Sequence, residues 1–309
     1  MLIPLLIGIS IISYAIIRLA PGDPTKMLAD PETLTTEQME AMRIQLGLDQ
    51  PLYVQYVKTM TSLMTGDLLS FKTREPVVEM IAARMPATAA LAITVLIVGF
   101  IGGIAVGVLQ ALRPNGLADD IATLVTLIGF AVPTFWLALM LMLLFSVRLD
   151  WLPVSGIRPP NTSGWDPRTV APYLVLPTIV LATNLIATVA RYTRSSMLDA
   201  LSQDYLRTAR AKGLAERSVI VRHALRNSLL PVITLLGVQV PNLLGGTVAV
   251  ETIFALPGIG RLALDSVVSR DYPVILSINV FVAILVLLGS LVADVAYGIA
   301  DPRIRQGES

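Results

Sequence analysis

Apolar residues along this chain are gathered into six long segments, separated by polar or mixed stretches. A helix needs about 20 apolar residues to cross the hydrocarbon core of a bilayer. Each segment approaches or exceeds that length and is nearly free of charged residues. The pattern therefore predicts an all-α, polytopic membrane protein with six transmembrane helices, at Leu2–Leu19, Ala87–Leu112, Ile121–Val147, Tyr173–Ala190, Leu229–Val250 and Pro273–Ile299.

The composition of the chain agrees with this membrane assignment. Of its 309 residues, 54% are hydrophobic and 15% are charged, whereas a soluble domain carries about 25% charged residues. The net charge of +1 favours neither nucleic acid nor another strongly acidic partner. The absence of cysteine excludes disulfides, thiolate catalysis and cysteine-ligated metals. The first span could instead be a cleaved signal peptide, but its start, MLIPLL, lacks the basic residues that such peptides carry.

Lysine and arginine are unequally distributed between the loops on the two sides. The loop between spans four and five holds eight, and its side has eleven in total, against five in the short loops opposite. Because short loops rich in positive charge stay inside, we expect this loop and both termini in the cytoplasm of a bacterium, with the chain in its cytoplasmic membrane. The predicted organisation is a first span at 1–20, an extracytoplasmic segment at 21–86, a transmembrane domain at 87–300 with a cytoplasmic loop at 191–228, and a cytoplasmic tail at 301–309.

Two helices are predicted within the extracytoplasmic segment. Thr35 and Gln38 fit a capping box that opens a helix through Leu46, and Gly47 ends it. A second helix opens at Pro51 and ends at Gly66, with an apolar stripe along one face. This stripe predicts either a structural cap over the spans or a docking surface for an extracytoplasmic partner.

The cytoplasmic loop DYLRTARAKGLAERSVIVRHALRNSLLP, at Asp204–Pro231, is predicted to form two amphipathic helices around Gly213. Before the glycine, an apolar helical face is formed by Leu198, Leu201, Tyr205 and Ala209. A positive anchor against anionic lipid is one interpretation of the loop. Nucleic acid is disfavoured because no aromatic platform accompanies the charges. The glycine turn favours a third interpretation, a helix that docks on a cytoplasmic partner.

Motifs along the whole chain resemble one family of membrane proteins. TARAKGL followed by RHALRNSLLP resembles the cytoplasmic signature loop of permease subunits of bacterial ATP-binding-cassette (ABC) importers, in the dipeptide, oligopeptide and nickel permease family. The same family is indicated by RLAPGDP, LGLDQPLYVQY, VPTFWLAL, VETIFALPGIGRL, RDYPVI and DPRIR, which occur in that order. The resemblance implies the permease fold of type I importers and the N-terminal type of membrane subunit.

The resemblance also implies partners and contact residues. A second, homologous permease subunit would complete the translocation path, two ATPase subunits would use ATP and magnesium, and an external binding protein would deliver the substrate. The cytoplasmic loop would enter a cleft on an ATPase. The Glu-Ala-Ala that names the wider motif is Arg207-Thr208-Ala209 here, so only the peptide-family version matches. The contact residues implied are Tyr205, Arg207, Thr208, Ala209, Lys212, Gly213 and Leu214.

The resemblance to this family implies dipeptides or oligopeptides as substrates. Nickel chelates and other peptide-like solutes remain open, because the external binding protein selects the substrate in such systems.

Several absent motifs narrow the mechanism. The chain lacks a Walker phosphate loop, so ATP hydrolysis would belong to another polypeptide, and we expect no bound cofactor and no enzyme activity. No metal cluster is visible, because the single histidine, His223, lies in a basic segment. The different class that stays open is a standalone channel or secondary carrier, although carriers hold ionisable groups deep in their spans.

The polar residues within the spans are neutral here, which suits a pore lined by hydrogen-bonding groups. Prolines are predicted to interrupt spans three, four and five at Pro133, Pro177 and Pro241. The alternative is that the prolines bend helices and the amides join them. The predicted path residues are Pro133, Asn184, Gln239, Asn242 and Asn279.

The segment VETIFALPGIGRL, which follows span five on the outer side, is predicted to make tight turns at Pro257-Gly258 and Gly260. We expect a re-entrant element that forms part of an outer gate, or a structural plug at the subunit interface. The predicted gate residues are Glu251, Phe254, Pro257 and Gly258.

Overall fold

The computed structural model describes residues 2–19, 35–160, 162 and 164–300. Most of RLAPGDP, the start of the extracytoplasmic segment and the tail with DPRIR therefore lie outside the described residues. Regular structure in the described residues is helical, apart from one isolated β-bridge between Leu69 and Pro76. The helices are α1 Leu2–Leu19, α2 Thr36–Gln45, α3 Leu52–Thr65, α4 Val77–Leu112, α5 Leu117–Ala131, α6 Thr134–Leu141 with π-helical turns at Met142–Arg148, α7 Pro167–Leu201, α8 Asp204–Ala211, α9 Glu216–Ser228, α10 Leu230–Ile253, α11 Ile259–Val268 and α12 Tyr272–Ala300.

Three of these helices are long and apolar enough to cross a bilayer, at Val77–Leu112, Pro167–Leu201 and Tyr272–Leu291. The bent pairs α5–α6 and α9–α10 would bring the number in the described residues to five if each is one span. The described apolar part of α1, Ile3–Leu19, is shorter than these helices. An all-helical membrane fold is therefore confirmed, and the exact number of six spans stays a prediction.

The prediction that Pro133 interrupts span three is confirmed. The chain turns by 101° between α5 and α6, and Val132 at the break is extended, with φ −72° and ψ 126°. Proline at position 133 explains the break, because its ring disfavours helical backbone at the preceding residue. The predicted interruptions of spans four and five are wrong, since α7 continues through Pro177 and α10 continues through Pro241.

The chain divides into two compact units. Unit 1 comprises residues 1–88 and 257–287, and unit 2 comprises residues 89–256 and 288–309. In unit 1 an apolar core joins the beginnings of α4 and α12 to α11 and the loop before α4, through Leu68, Val77, Ile81, Ile259, Leu262, Val274 and Ile278.

Asp271, only 2% exposed, holds the turn between α3 and α4 of unit 1 in place. Its carboxylate accepts a hydrogen bond from the Ser70 hydroxyl and others from the backbone N–H groups of Phe71, at 3.0 Å, and Lys72, at 3.4 Å. A buried carboxylate needs such donors because burial without them is costly. The residue before α12 therefore fixes the turn that precedes α4.

The two helices predicted in the extracytoplasmic segment are both present. The capping box at Thr35 is complete, and the backbone N–H of Thr35 donates to Gln38 Oε1 at 2.9 Å. Gly47 and Gly66 follow α2 and α3 with φ of +67° and +83°, as glycine helix stops require. On the face of α3 toward α1, Tyr56 Oη lies 2.8 Å from Ser10 Oγ.

In unit 2 a glycine stripe on α4 lies against α7. Gly99, Gly103 and Gly107 recur every four residues and therefore share one helical face. A Cβ atom built on Gly103 would lie 2.5 Å from Val189 Cβ, and one on Gly107 would lie 2.5 Å from the carbonyl oxygen of Ala190. Only glycine permits this approach, which brings the two helix backbones together as in other small-residue membrane interfaces.

We predict that Gly103→Leu destabilises the protein, because the new side chain has no space against Val189. The expected loss is about 1–3 kcal/mol, the usual cost of overpacking a core, and it is measured as a lowered thermal midpoint of the purified protein. Gly8→Leu is the matched control, because no atom lies within 4 Å of a Cβ built on Gly8 of α1. Equal midpoints for the two variants would contradict the proposed role of the stripe.

Candidate functional site

The arginine-rich loop between α7 and α10 forms a helical hairpin, called here the arginine hairpin, residues 204–228. The long helix α7 ends at Leu201, and α8 begins at Asp204 after a two-residue break. Gly213 follows α8 with φ +77°, and α9 then runs over Glu216–Ser228 with π-helical turns at Val219–Leu225. The predicted order of helix, glycine turn and helix is therefore present.

The inner face of the hairpin is packed against the ends of two long helices. Leu206 is fully buried and Ala209 is 7% exposed. Both belong to one apolar core with Ala111 at the end of α4, Met197 and Ala200 near the end of α7, and Val219 and Ala224 of α9. Burial of a leucine side chain stabilises such an arrangement by about 1.5–3 kcal/mol. The hairpin is thus fixed to the ends of α4 and α7.

The outer face of the hairpin carries six of the seven predicted contact residues. Tyr205 and Leu214 are 39% and 42% exposed, and the Arg207 side chain is 77% exposed. The exposed set is Tyr205, Arg207, Thr208, Lys212, Gly213 and Leu214. The prediction for Ala209 is corrected, because its side chain lies in the core beneath α8 and the residue is only 7% exposed.

The sequence pattern also assigned Tyr205 to the wrong face of the loop. One continuous helix would place Tyr205 with Leu198, Leu201 and Ala209, but the break at Ser202 and Gln203 changes the helical phase. Leu206 is therefore the buried anchor. A signal for the break was available in Asp204, since an acidic residue is common in the first turn of a helix.

An ion pair closes the turn of the hairpin. Arg210 donates from Nη2 to Glu216 Oε1 at 2.8 Å and from Nε to Oε2 at 3.1 Å. This hydrogen bonding lowers the pKa of the Glu216 carboxyl and raises the pKa of Arg210. Because the folded-state pKa of Glu216 is lowered, the pair contributes stability above the carboxyl's ordinary pKa and loses it as the pH falls through the lowered value.

Glycine is required at position 213 because of its backbone conformation and not because neighbouring atoms lie close to it. No atom lies within 4 Å of a Cβ built at this position. The left-handed backbone at φ +77° nevertheless costs any other residue about 1–2 kcal/mol. A larger side chain would therefore strain the turn without colliding with the rest of this chain.

The predicted path residues are distributed over both units. In unit 2, Pro133 and Asn184 are exposed and Gln239 is half-buried, while the side chain of Asn242 lies outside the described residues. Asn279, in unit 1, is exposed.

Unit 2 holds a cavity of about 400 Å³ that none of the predicted path residues lines. It lies between α5 and the C-terminal part of α7, beside a bidentate ion pair of Arg194 with Asp119 at 2.7 and 2.9 Å. The sequence analysis missed this pair. The sequence did contain a signal for this pair, because Asp119 lies at the edge of one apolar segment and Arg194 lies just beyond another.

The predicted gate residues are divided between the two units and are mostly packed inside them. In unit 2, Glu251 is 1% and Phe254 is 2% exposed, and the carbonyl of Phe254 accepts from the backbone N–H of Gly156 at 2.9 Å. The positive φ of +49° in this segment belongs to Ala255.

In unit 1, Pro257 is half-buried and Gly258 is the buried N-cap of α11. Gly260 lies inside α11, so the prediction of a tight turn at Gly260 is wrong. Burial of the segment agrees with either predicted role, the gate or the plug.

Comparison with protein-family models matches two adjoining parts of the chain. Residues 103–306 match the "binding-protein-dependent transport system inner membrane component" family. Residues 1–92 match the N-terminal component of the same type of transport system.

Curated relatives match over nearly the full length. The chain is 44% identical to the oligopeptide transport system permease protein AppB of Bacillus subtilis (strain 168), over 98% of this chain and 96% of that protein. It is 39% identical to the dipeptide transport system permease protein DppB of Escherichia coli (strain K12), over 99% and 96%. It is 40% identical to the glutathione transport system permease protein GsiC of the same strain, over 98% and 96%.

Solved structures with the same fold are also found. The inward-facing MetNI methionine ABC transporter matches with a TM-score of 0.59 at 17% identity, over 74% of this chain and 99% of that chain. An amino acid ABC transporter with histidines matches with a TM-score of 0.54 at 14% identity, over 71% and 94%. The chain therefore belongs to the binding-protein-dependent inner membrane components, as a permease subunit of an ABC importer.

Proposed function

We propose that this chain forms one half of a translocation path for short peptides. In this proposal an ATPase binds the arginine hairpin and, by moving it, moves the helices that form the path. Relatives named for oligopeptides, dipeptides and glutathione support this substrate class, since all of these are short peptides. A second permease subunit supplies the other half of the path in this proposal. An extracytoplasmic binding protein delivers the peptide, and two ATPase subunits use ATP and magnesium.

The single observation that carries the proposal is the division of the hairpin into a packed face and a free face. Leu206 and Ala209 belong to a core with the ends of α4 and α7, while Tyr205, Arg207 and Leu214 are open to a partner. A partner that moves the free face therefore moves the ends of two long helices. At 1.5 Å per residue, the 36 residues of α4 extend for about 54 Å, which is longer than the bilayer core of about 30 Å.

In this proposal the hairpin and both termini face the cytoplasm, because the hairpin holds the largest cluster of positive charge. The helices α2 and α3 then face outward and meet the binding protein. The exposed apolar residues of α1 contact lipid or the second permease subunit. The buried segment at 250–258 acts as a structural plug at the outer end of the path, because Glu251 and Phe254 are held inside the chain.

A standalone carrier is the rival function, and transport assays separate the two. The chain alone in liposomes should move no peptide, whereas the complete transporter should accumulate peptide only with ATP and the binding protein. Uptake by the isolated chain without ATP would favour the carrier. A membrane scaffold is excluded if deletion of the chain abolishes peptide uptake.

We predict that Gly213→Val abolishes peptide uptake and the stimulation of ATP hydrolysis by the loaded binding protein. Valine disfavours the left-handed turn, so the free face of α8 is no longer presented to the ATPase correctly. The measurements are ATP-dependent uptake and ATPase rate in proteoliposomes. Gly164→Val is the matched control, because Gly164 has a similar φ of +89° and equally open surroundings but lies outside the surfaces assigned here to partners. Full uptake by the Gly213 variant would contradict the role of the hairpin.

Substitutions at two neighbouring residues of α8 should distinguish a role in ATPase docking from a role in folding. Tyr205→Ala is expected to leave thermal stability within about 0.5 kcal/mol, as for surface changes, and to weaken retention of the ATPase during purification. Leu206→Ala is expected to destabilise the protein by about 2–5 kcal/mol, because it leaves a cavity in the core beneath α8. Thermal unfolding and copurification of the ATPase measure the two effects. Equal stability losses for both variants would show that Tyr205 is not on a free face.

A further inference from the structure

The cavity between α5 and α7 has the features of a small-molecule site on the cytoplasmic side of unit 2. Its volume of about 400 Å³ lies within the range of about 300–1,000 Å³ that is usual for ligand pockets. Resting on the function proposed above, we propose that this cavity binds a short zwitterionic peptide on the exit side of the transporter.

One wall of the cavity is built around a buried carboxylate. Asp119 is 2% exposed, and its oxygens accept from Arg194 at 2.7 and 2.9 Å and from the backbone N–H of Asn115 at 3.0 Å. Gln110 Nε2 donates to Thr123 Oγ1 at 2.9 Å, which ties α4 to the same wall. Asp119 and Arg194 satisfy each other and therefore shape the cavity without offering a charge to a ligand.

Two further charges at the cavity are available to a ligand. Asp120 and Arg191 both line it and are exposed. Within the described residues, neither side chain forms a hydrogen bond or an ion pair. A carboxylate can hold an ammonium group, and a guanidinium can hold a carboxylate through two parallel hydrogen bonds. One free charge of each sign therefore matches a small molecule with one amino and one carboxylate terminus.

The remaining lining supports the same ligand. Thr126 Oγ1 and Thr188 Oγ1 donate to the carbonyls of Thr123 and Asn184, at 2.9 and 3.1 Å. Their hydroxyl protons are thus used, and the oxygens can only accept, which suits the ammonium or amide N–H groups of a peptide. Leu127 and Phe130 supply an apolar surface for a hydrophobic side chain.

The position of the cavity places it next to the moving part of the proposed mechanism. Arg191 and Arg194 lie on the last turns of α7, just before Met197 and Ala200, which pack beneath the hairpin. A peptide held here would lie beside the helix end that the ATPase moves, so that movement of this end would alter the cavity. The site would then hold the peptide after it has crossed the membrane and before its release.

The test measures peptide binding to the complete transporter in lipid nanodiscs without the binding protein. The probe is the dipeptide leucyl-phenylalanine, and N-acetyl-leucyl-phenylalaninamide serves as a probe without terminal charges. Binding is followed by ligand-observed NMR. We expect the dipeptide to bind and the capped probe to bind at least about tenfold more weakly, because it lacks both charge-assisted interactions.

The variants are Arg191→Gln and Asp120→Asn, each of which should weaken dipeptide binding by about tenfold or more. Both residues are exposed and make no side-chain hydrogen bond or ion pair among the described residues, so neither change should affect folding. Arg113→Gln is the matched control, since Arg113 is exposed on the same side and does not line the cavity.

Unchanged affinity in both cavity variants would overturn the proposed site, as would equal binding of the capped probe. Retention of phosphatidylethanolamine in place of the dipeptide would also overturn it, because the cavity would then be a lipid site. Failure of the proposed function would give a different result from failure of the proposed site. In that case the unmodified transporter with ATP and binding protein would take up no peptide, whereas failure of the site alone leaves this uptake intact.

Discussion

The backbone of α7 lies directly on the glycine face of α4 in unit 2. Three glycines four residues apart leave room for Leu185, Val189 and the carbonyl of Ala190 to approach at distances that no side chain at those positions would permit. In a bilayer, where apolar side chains gain nothing by leaving lipid, such close backbone packing is a main source of helix association. It fixes the relation of the two helices whose C-terminal ends support the hairpin.

The hairpin depends on this packing for its position. Its anchor residues, Leu206 and Ala209, pack on Ala111 of α4 and on Met197 and Ala200 of α7. Since α4 and α7 are held together from Gly99 to Gly107, their ends lie close enough to form one apolar core with the hairpin. A short helix of eight residues, too short to be stable alone, becomes ordered because it covers that surface. Its other side is left free for the ATPase proposed to move it.

The charged residue Asp119 is buried because it has a partner, whereas Arg207 stays exposed. Asp119 is buried but accepts two hydrogen bonds from Arg194, which offsets the cost of removing the carboxylate from water. Arg207, by contrast, is exposed and reaches only Asp204 within α8. The paired charges shape a cavity and the exposed charges form a surface, although Arg194 and Arg207 come from the same arginine-rich part of the sequence.

The sequence by itself determined the helical membrane class, the family, the order of the hairpin and the caps at Thr35, Gly47, Gly66 and Gly213. These features depend on the length and composition of each segment and on the backbone preferences of its residues, all of which short stretches of sequence determine. Only the tertiary structure decided that Leu206 and not Tyr205 is the anchor, that Ala209 is buried, and that Asp119 meets Arg194 to shape a cavity. The first two outcomes depend on a two-residue break that changes the helical phase between α7 and α8. The third depends on a contact between residues 75 positions apart in the sequence. The local sequence around a residue determines neither of these features.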